Sequence, residues 1–169
     1  MKRILFLLLL SLLAPSNVIA GCDDPLADGV DYTNCRFSDG QDLQGSYLPN
    51  SNLSFAGFIQ VNFDRSIMMN SILAFGTFSE SSFVRANLYE SNLQGANFEK
   101  TNFTSANLTR ANFQGASLIE ANFKDSNLLE ANFTAANIIN ASFEGSNLNN
   151  ATWIDGNKCG LGSIGECKK

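Results

Sequence analysis

The chain has 169 residues, a net charge of −5, 16% charged residues, 14 Phe, four Cys and no His. Without imidazole there is no Ser-His or Cys-His nucleophile, no histidine general base and no histidine metal ligand, so the commonest plans for catalysis and zinc binding are excluded. An acidic balance disfavours direct binding to nucleic acid or to an anionic lipid surface.

Lys2 and Arg3 open the chain, Ile4 to Ala14 is almost unbroken apolar sequence, and Val18-Ile19-Ala20 closes a short polar-flanked segment with small residues. This pattern predicts a secretory signal peptide over residues 1–20, and its apolar run is too short to span a bilayer, which takes about 20 residues. Removing it takes away Lys2 and Arg3 and leaves a mature chain of charge −7. The junction Ile19-Ala20-Gly21-Cys22 also resembles a bacterial lipobox, which would make Cys22 a lipidation site and tie the protein to a membrane. The cysteine distribution favours another use. Cys22 with Cys35 and Cys159 with Cys167 form two local pairs flanking a long stretch without cysteine, and export makes disulfides available, so Cys22–Cys35 and Cys159–Cys167 are the expected bonds. Residues 21–40 then read as an N-terminal cap segment and residues 154–169 as a C-terminal one.

Between these pairs every fifth residue from Leu43 to Trp153 is large and apolar, 23 positions of 23. Two residues before each sits Ala, Ser, Thr or Gly, except at Gln41 and Val61, and the residue between is Asn in 13 units, as in Ala86-Asn87-Leu88 and Ala131-Asn132-Phe133. A period of five fits neither standard element. On a helix, five steps scatter the apolar residues around the axis; in a flat strand, an odd step sends them to alternate faces. Within one unit, however, the small and the large residue are two apart and share a face. A corner after each unit winds the chain into a square tube whose interior they fill.

These residues resemble the pentapeptide-repeat family, whose consensus is A-(D/N)-L-x-x with Leu or Phe at the centre. The resemblance covers residues 41–153, and the flanks Gly29 to Cys35 and Ser163 to Cys167 look like the end segments of exported bacterial members. It implies an all-β right-handed quadrilateral β-helix with four units per coil, a fold class that periodicity alone does not specify. At 20-residue steps Phe63, Phe83, Phe103, Phe123 and Phe143 stack in one column, and Leu88, Leu108, Leu128 and Leu148 in the next. At about 4.8 Å per coil the repeats make a rod roughly 27 Å long. One coil cannot stand alone, so stability comes from stacking, and the ends expose strand edges that need covering.

The outward residues carry the candidate sites. Charged neighbours such as Glu99 and Lys100 read as a solvated face. The Asn side chains are expected to bond local backbone beside the corners. Outward apolar residues break this pattern at Phe55 and Phe75, 20 apart, and at Ile119 and Ile139, also 20 apart, and they form the candidate contact patch. The carboxylates show no paired acid/base placement and no Gly-rich phosphate loop occurs, so no catalytic residue, cofactor or metal site is expected. The expected function is a non-catalytic exported structural or protein-interaction module of a bacterial envelope or extracellular space, with a protein partner and a possible homo-oligomer. The second reading follows from the resemblance: the best-understood family members are acidic rods that resemble duplex DNA and bind type II topoisomerases. A sugar-binding or enzymatic use of the Asn-rich faces ranks last.

Overall fold

The computed structural model describes residues 18–19, 22 and 25–169. The expected signal peptide lies outside the described residues except for Val18 and Ile19. These form β1 (Val18–Ile19), which pairs in parallel with β2 (Val30–Asp31). Residues 30–153 coil as a right-handed quadrilateral β-helix. Bridges join each unit to the one 20 residues on, as in Asp42 to Asn62, Asn62 to Ser82 and Ser82 to Asn102, all parallel, so four units make a coil.

Each unit places its central residue inside and turns immediately after it. The N–H of the next unit's first residue bonds back to the central carbonyl, as from Ala106 to Phe103 at 3.0 Å. The last residue of the unit is left-handed, with φ near 57° at Asn70, Ser105 and Glu120, the signature of a type II corner. Between coils, the central residue's N–H donates to the carbonyl 19 residues on, as from Phe63 to Ser82 at 2.7 Å. Inside the rod the N–H groups of the middle and central residues of a unit, and the carbonyls of its first and middle residues, thereby find partners in the coils above and below.

Four columns fill the tube. Leu53, Leu73, Leu93, Phe113, Phe133 and Trp153 line the first face; Phe58, Phe78, Phe98, Leu118 and Ile138 the second; Phe63 to Phe143 the third; and Met68 to Leu148 the fourth. The phenylalanines of the third face stack at 5.0 to 5.2 Å between ring centroids.

The ladder reaches back into the segment expected to be only a cap. Asp31 bridges Asn52 and Arg36 bridges Gly57, a step of 21 rather than 20, and Tyr32 and Phe37 are buried core residues. Residues 30–40 are therefore two further units, offset by one extra residue before Gln41, and Phe37 stacks on Phe58 at 4.3 Å. Cys22 is bonded to Cys35 and Cys159 to Cys167. This is the pairing expected from the two local cysteine pairs. At the far end the chain reverses and crosses the last coil, with Thr152 to Lys158 and Asn147 to Ile164 as antiparallel bridges.

Candidate functional site

The side chain of the Asn before each core residue works within its own unit. In all 13 units that carry it, Oδ1 accepts the N–H two residues on, from Ser54 to Asn52 at 3.1 Å through Asn149 to Asn147 at 3.2 Å. The Nδ2 groups add a second use along the rod, as from Asn107 to Asn87 at 3.0 Å and Asn132 to Asn112 at 3.0 Å. The expectation that these amides bond local backbone holds, with a ladder superposed.

This arrangement lapses in one band. Tyr47, Gly57, Ile67, Ile72, Thr77 and Ser82 stand where Asn is expected, and only Asn52 and Asn62 interrupt them. Exposed apolar side chains gather in the same band. Phe55 and Phe75 are 56% and 51% exposed, sit at left-handed corners directly above one another, and stack at 5.3 Å and 14°. Stacked this way along the rod axis, the rings present their edges outward as an apolar ridge, and the exposed Ile72 extends it within the Phe75 unit. The ridge ends on Gly95, where a Cβ would lie 2.6 Å from the Phe75 ring.

Beside the ridge runs a groove of about 310 Å³ lined by Asn34, Arg36, Asp39, Phe55, Gly57, Ile59 and Thr77. It exists because Gly57 and Thr77 are small where the next unit of the same face carries Asn97. With no Asn Oδ1 to accept them, the Ile59 and Ser79 N–H groups make no hydrogen bond among the described residues. The Arg36 side chain crosses over Gly57, its Cγ 3.6 Å from where a Cβ would be. The groove thus offers the Arg36 cation, the Asp39 carboxylate and the Ile59 backbone donor next to an aromatic edge, a set that holds an apolar side chain and a polar group together.

Ile119 and Ile139 belong elsewhere. They sit on the second face towards the C-terminal end, Ile119 half-buried and Ile139 59% exposed, and Gly95 and Gly115 separate them from the ridge. The four residues of the expected patch are therefore two clusters. Arg36 and Gly57 escaped sequence reasoning because the extra residue near Gly40 hides the Arg36 unit from a count of fives.

Charge on the rod is paired across coils. Arg110 bridges Glu90 at 3.1 Å and Glu130 at 2.8 Å on one corner, and Lys124 bridges Glu144 at 3.0 Å on another. Hydrogen bonds from Tyr89 and Arg110 hold the Glu90 carboxyl below its usual range, and Glu130 and Glu90 raise the Arg110 guanidinium above its own. No cluster of three His, Cys, Asp or Glu that could hold a metal occurs among the described residues.

Comparison with known proteins agrees with this geometry. The family described as pentapeptide repeats matches residues 81–118 and 116–152, in eight copies. HetL, a pentapeptide repeat protein involved in heterocyst differentiation regulation from the cyanobacterium Nostoc sp. strain PCC 7120, is similar at 23% identity and a TM-score of 0.62, over 78% of this chain and 70% of HetL. A trypsin-treated form of QnrB1, a plasmid-mediated fluoroquinolone resistance protein, is similar at 25% identity and a TM-score of 0.66, over 70% of this chain and 60% of that one. Full-length QnrB1 gives 21% identity and a TM-score of 0.54, over 76% of each chain. No curated protein matches the sequence.

Proposed function

Because the chain is a pentapeptide-repeat protein, we propose that it is a non-catalytic interaction module, exported by residues 1–20 to a bacterial envelope or extracellular space, whose Phe55–Phe75 ridge docks a partner protein. The observation that carries this reading is the coincidence of two departures. The repeat gives up its Asn caps in the band where it also exposes stacked aromatic rings, although an apolar edge facing water is unfavourable. Lapses of a local rule concentrated at one place mark a functional surface. Aromatic side chains beside an arginine are also the residue types that dominate protein interfaces.

Affinity capture from the native compartment tests this, comparing the wild type with a Phe55→Ser/Phe75→Ser variant. The variant is expected to keep its melting temperature, since both rings lie outside the core, and to lose the captured partner. Equal capture by both proteins would sink the ridge as the docking surface. N-terminal sequencing of the exported protein is expected to begin at Gly21.

The similarity to a plasmid-mediated fluoroquinolone resistance protein favours a second reading, an acidic rod that mimics DNA to a type II topoisomerase. A DNA mimic needs continuous acidic stripes, and here Arg110 and Lys124 interrupt the carboxylate columns. Export would also separate the protein from a cytoplasmic enzyme. A supercoiling assay with purified DNA gyrase is expected to show no inhibition.

A further inference from the structure

Among the 23 residues that precede a core residue of the repeat, from Asp42 to Thr152, Gly57 alone has no side chain. Two coils further along the same face, Asn97 Oδ1 stands over its strand and accepts the Glu99 N–H at 2.9 Å. The equivalent donor at Gly57 is the Ile59 N–H. It points over the glycine, where no side chain stands, and makes no hydrogen bond among the described residues. Other departures from Asn leave no such room, because Ile67 and Ile72 put a branched side chain at the same place.

Two opposite charges border this spot without meeting. The Arg36 stem crosses over Gly57, and Asp39 stands at the turn that closes the Arg36 unit. Neither side chain makes an ion pair or a hydrogen bond among the described residues. Elsewhere on the rod facing charges close on one another, as Arg110 does with Glu90 and Glu130 and Lys124 with Glu144. The third border is the exposed Phe55 ring. A lone carboxylate placed here meets Asp39, and a lone amine meets Arg36. An uncharged apolar molecule displaces water from both ions and from the Ile59 N–H and replaces none of its hydrogen bonds, which is costly. A ligand carrying both charges and no net charge satisfies all three groups. The groove, at about 310 Å³, lies at the small end of ligand sites, which run from about 300 to 1,000 Å³, and so suits one amino acid rather than a nucleotide.

The geometry points to a binding site for a free α-amino acid with an apolar side chain, held as its zwitterion between Arg36 and Asp39. One carboxylate oxygen lies over Gly57, in the place an Asn Oδ1 takes in other units, and accepts the Ile59 N–H. The other oxygen accepts from the Arg36 guanidinium, the α-ammonium donates to the Asp39 carboxylate, and the side chain lies against the Phe55 ring edge. The site shares Phe55 with the ridge but does not rest on the ridge docking a protein.

Titration of the protein, both disulfides intact, with L-leucine and with L-phenylalanine, followed by amide shifts in nuclear magnetic resonance, is expected to saturate and to move the Ile59 N–H. Isoamylamine, which lacks the carboxylate, and N-acetyl-leucine, which lacks the ammonium, are each expected to bind at least about tenfold more weakly. Gly57→Asn restores the residue that other units carry; the φ of Gly57 is not left-handed and its added Cβ meets only Arg36 Cγ at 3.6 Å. This variant is expected to keep its melting temperature and lose leucine binding, and Arg36→Gln, a change on an exposed side chain, is expected to do the same. No saturable shift with either amino acid would overturn the proposal. So would leucine binding that survives both substitutions, or N-acetyl-leucine binding as tightly as leucine, which would assign the groove to the C-terminus of a protein chain instead. The titration is made on the protein alone, so its failure leaves partner capture by the ridge untouched, and failure of that capture leaves the titration untouched.

Discussion

At the residue scale, the Asn of each unit supplies an acceptor that the coil itself lacks. The N–H two residues on points out of the ladder, and Asn Oδ1 takes it in every unit that has one. Two of the units without Asn show the same requirement met otherwise. Pro49 stands two residues after Tyr47 and has no N–H to satisfy, and the Val84 N–H is taken by Asp64 Oδ1 of the preceding coil at 2.9 Å. The corners carry the opposite cost. Arg65, Glu90 and Lys100 hold φ of 58°, 55° and 56°, a region that disfavours residues with a Cβ by about 1 kcal/mol or more. They stay there because each corner N–H is also fixed by the next coil, as from Arg65 to Val84 at 2.9 Å. Among the described residues two inward hydroxyls, Ser66 and Ser126 Oγ, are buried without a protein hydrogen-bond partner. Ala86 and Ala106 fill the same column between them. Ser66→Ala and Ser126→Ala are therefore expected to stabilise the protein by about 1 kcal/mol each, measured by denaturant unfolding; a loss of stability would mean that ordered water satisfies the hydroxyls.

At the scale of the element, the unit and its coil were legible in the sequence because a period of five leaves one workable geometry, and the spacing of the phenylalanines matches the observed 20-residue register. The two units at Tyr32 and Phe37 were not. Counting back by fives from Leu43 meets Ser38 and Thr33, and one extra residue is enough to hide a core position from a periodicity argument. The left-handed corners were equally hidden, since only a few carry the Gly that such a φ favours. The ridge was visible as Phe55 and Phe75, but not its groove, which depends on Gly57 and Arg36 being brought together by the offset ladder. The cap is the element whose stability is most separable. The Cys159–Cys167 bond closes a short loop worth about 2–3 kcal/mol by the chain-entropy argument. Reducing it is expected to speed hydrogen exchange at the amides of Leu148, Asn150 and Trp153 while those of Phe83 and Phe103 keep their protection. Uniform loss of protection would show that cap and rod open together.

For the whole molecule, the missing histidine sets the response to pH. With all four cysteines in disulfides, no described side chain has an ordinary pKa between the carboxylates and the tyrosines. The Glu90 and Asp155 carboxyls are held low, Glu90 by Tyr89 and Arg110 and Asp155 by Lys169 and Asn157. A carboxylate depressed in the folded state contributes stability above its unfolded pKa and loses it as pH falls through the folded value. The melting temperature is therefore expected to stay level from about pH 5.5 to 7.5 and to fall below about pH 4. A transition near pH 6.5 in a thermal melt series would contradict this. The one tryptophan adds an optical consequence. Trp153 packs edge-on against Phe133 at 5.6 Å and Phe143 at 5.2 Å where the last coil meets the cap, and no other indole exists in the chain. Its fluorescence is thus a built-in local reporter: emission follows the opening of the C-terminal joint alone, while the phenylalanine columns inside the rod stay spectroscopically silent.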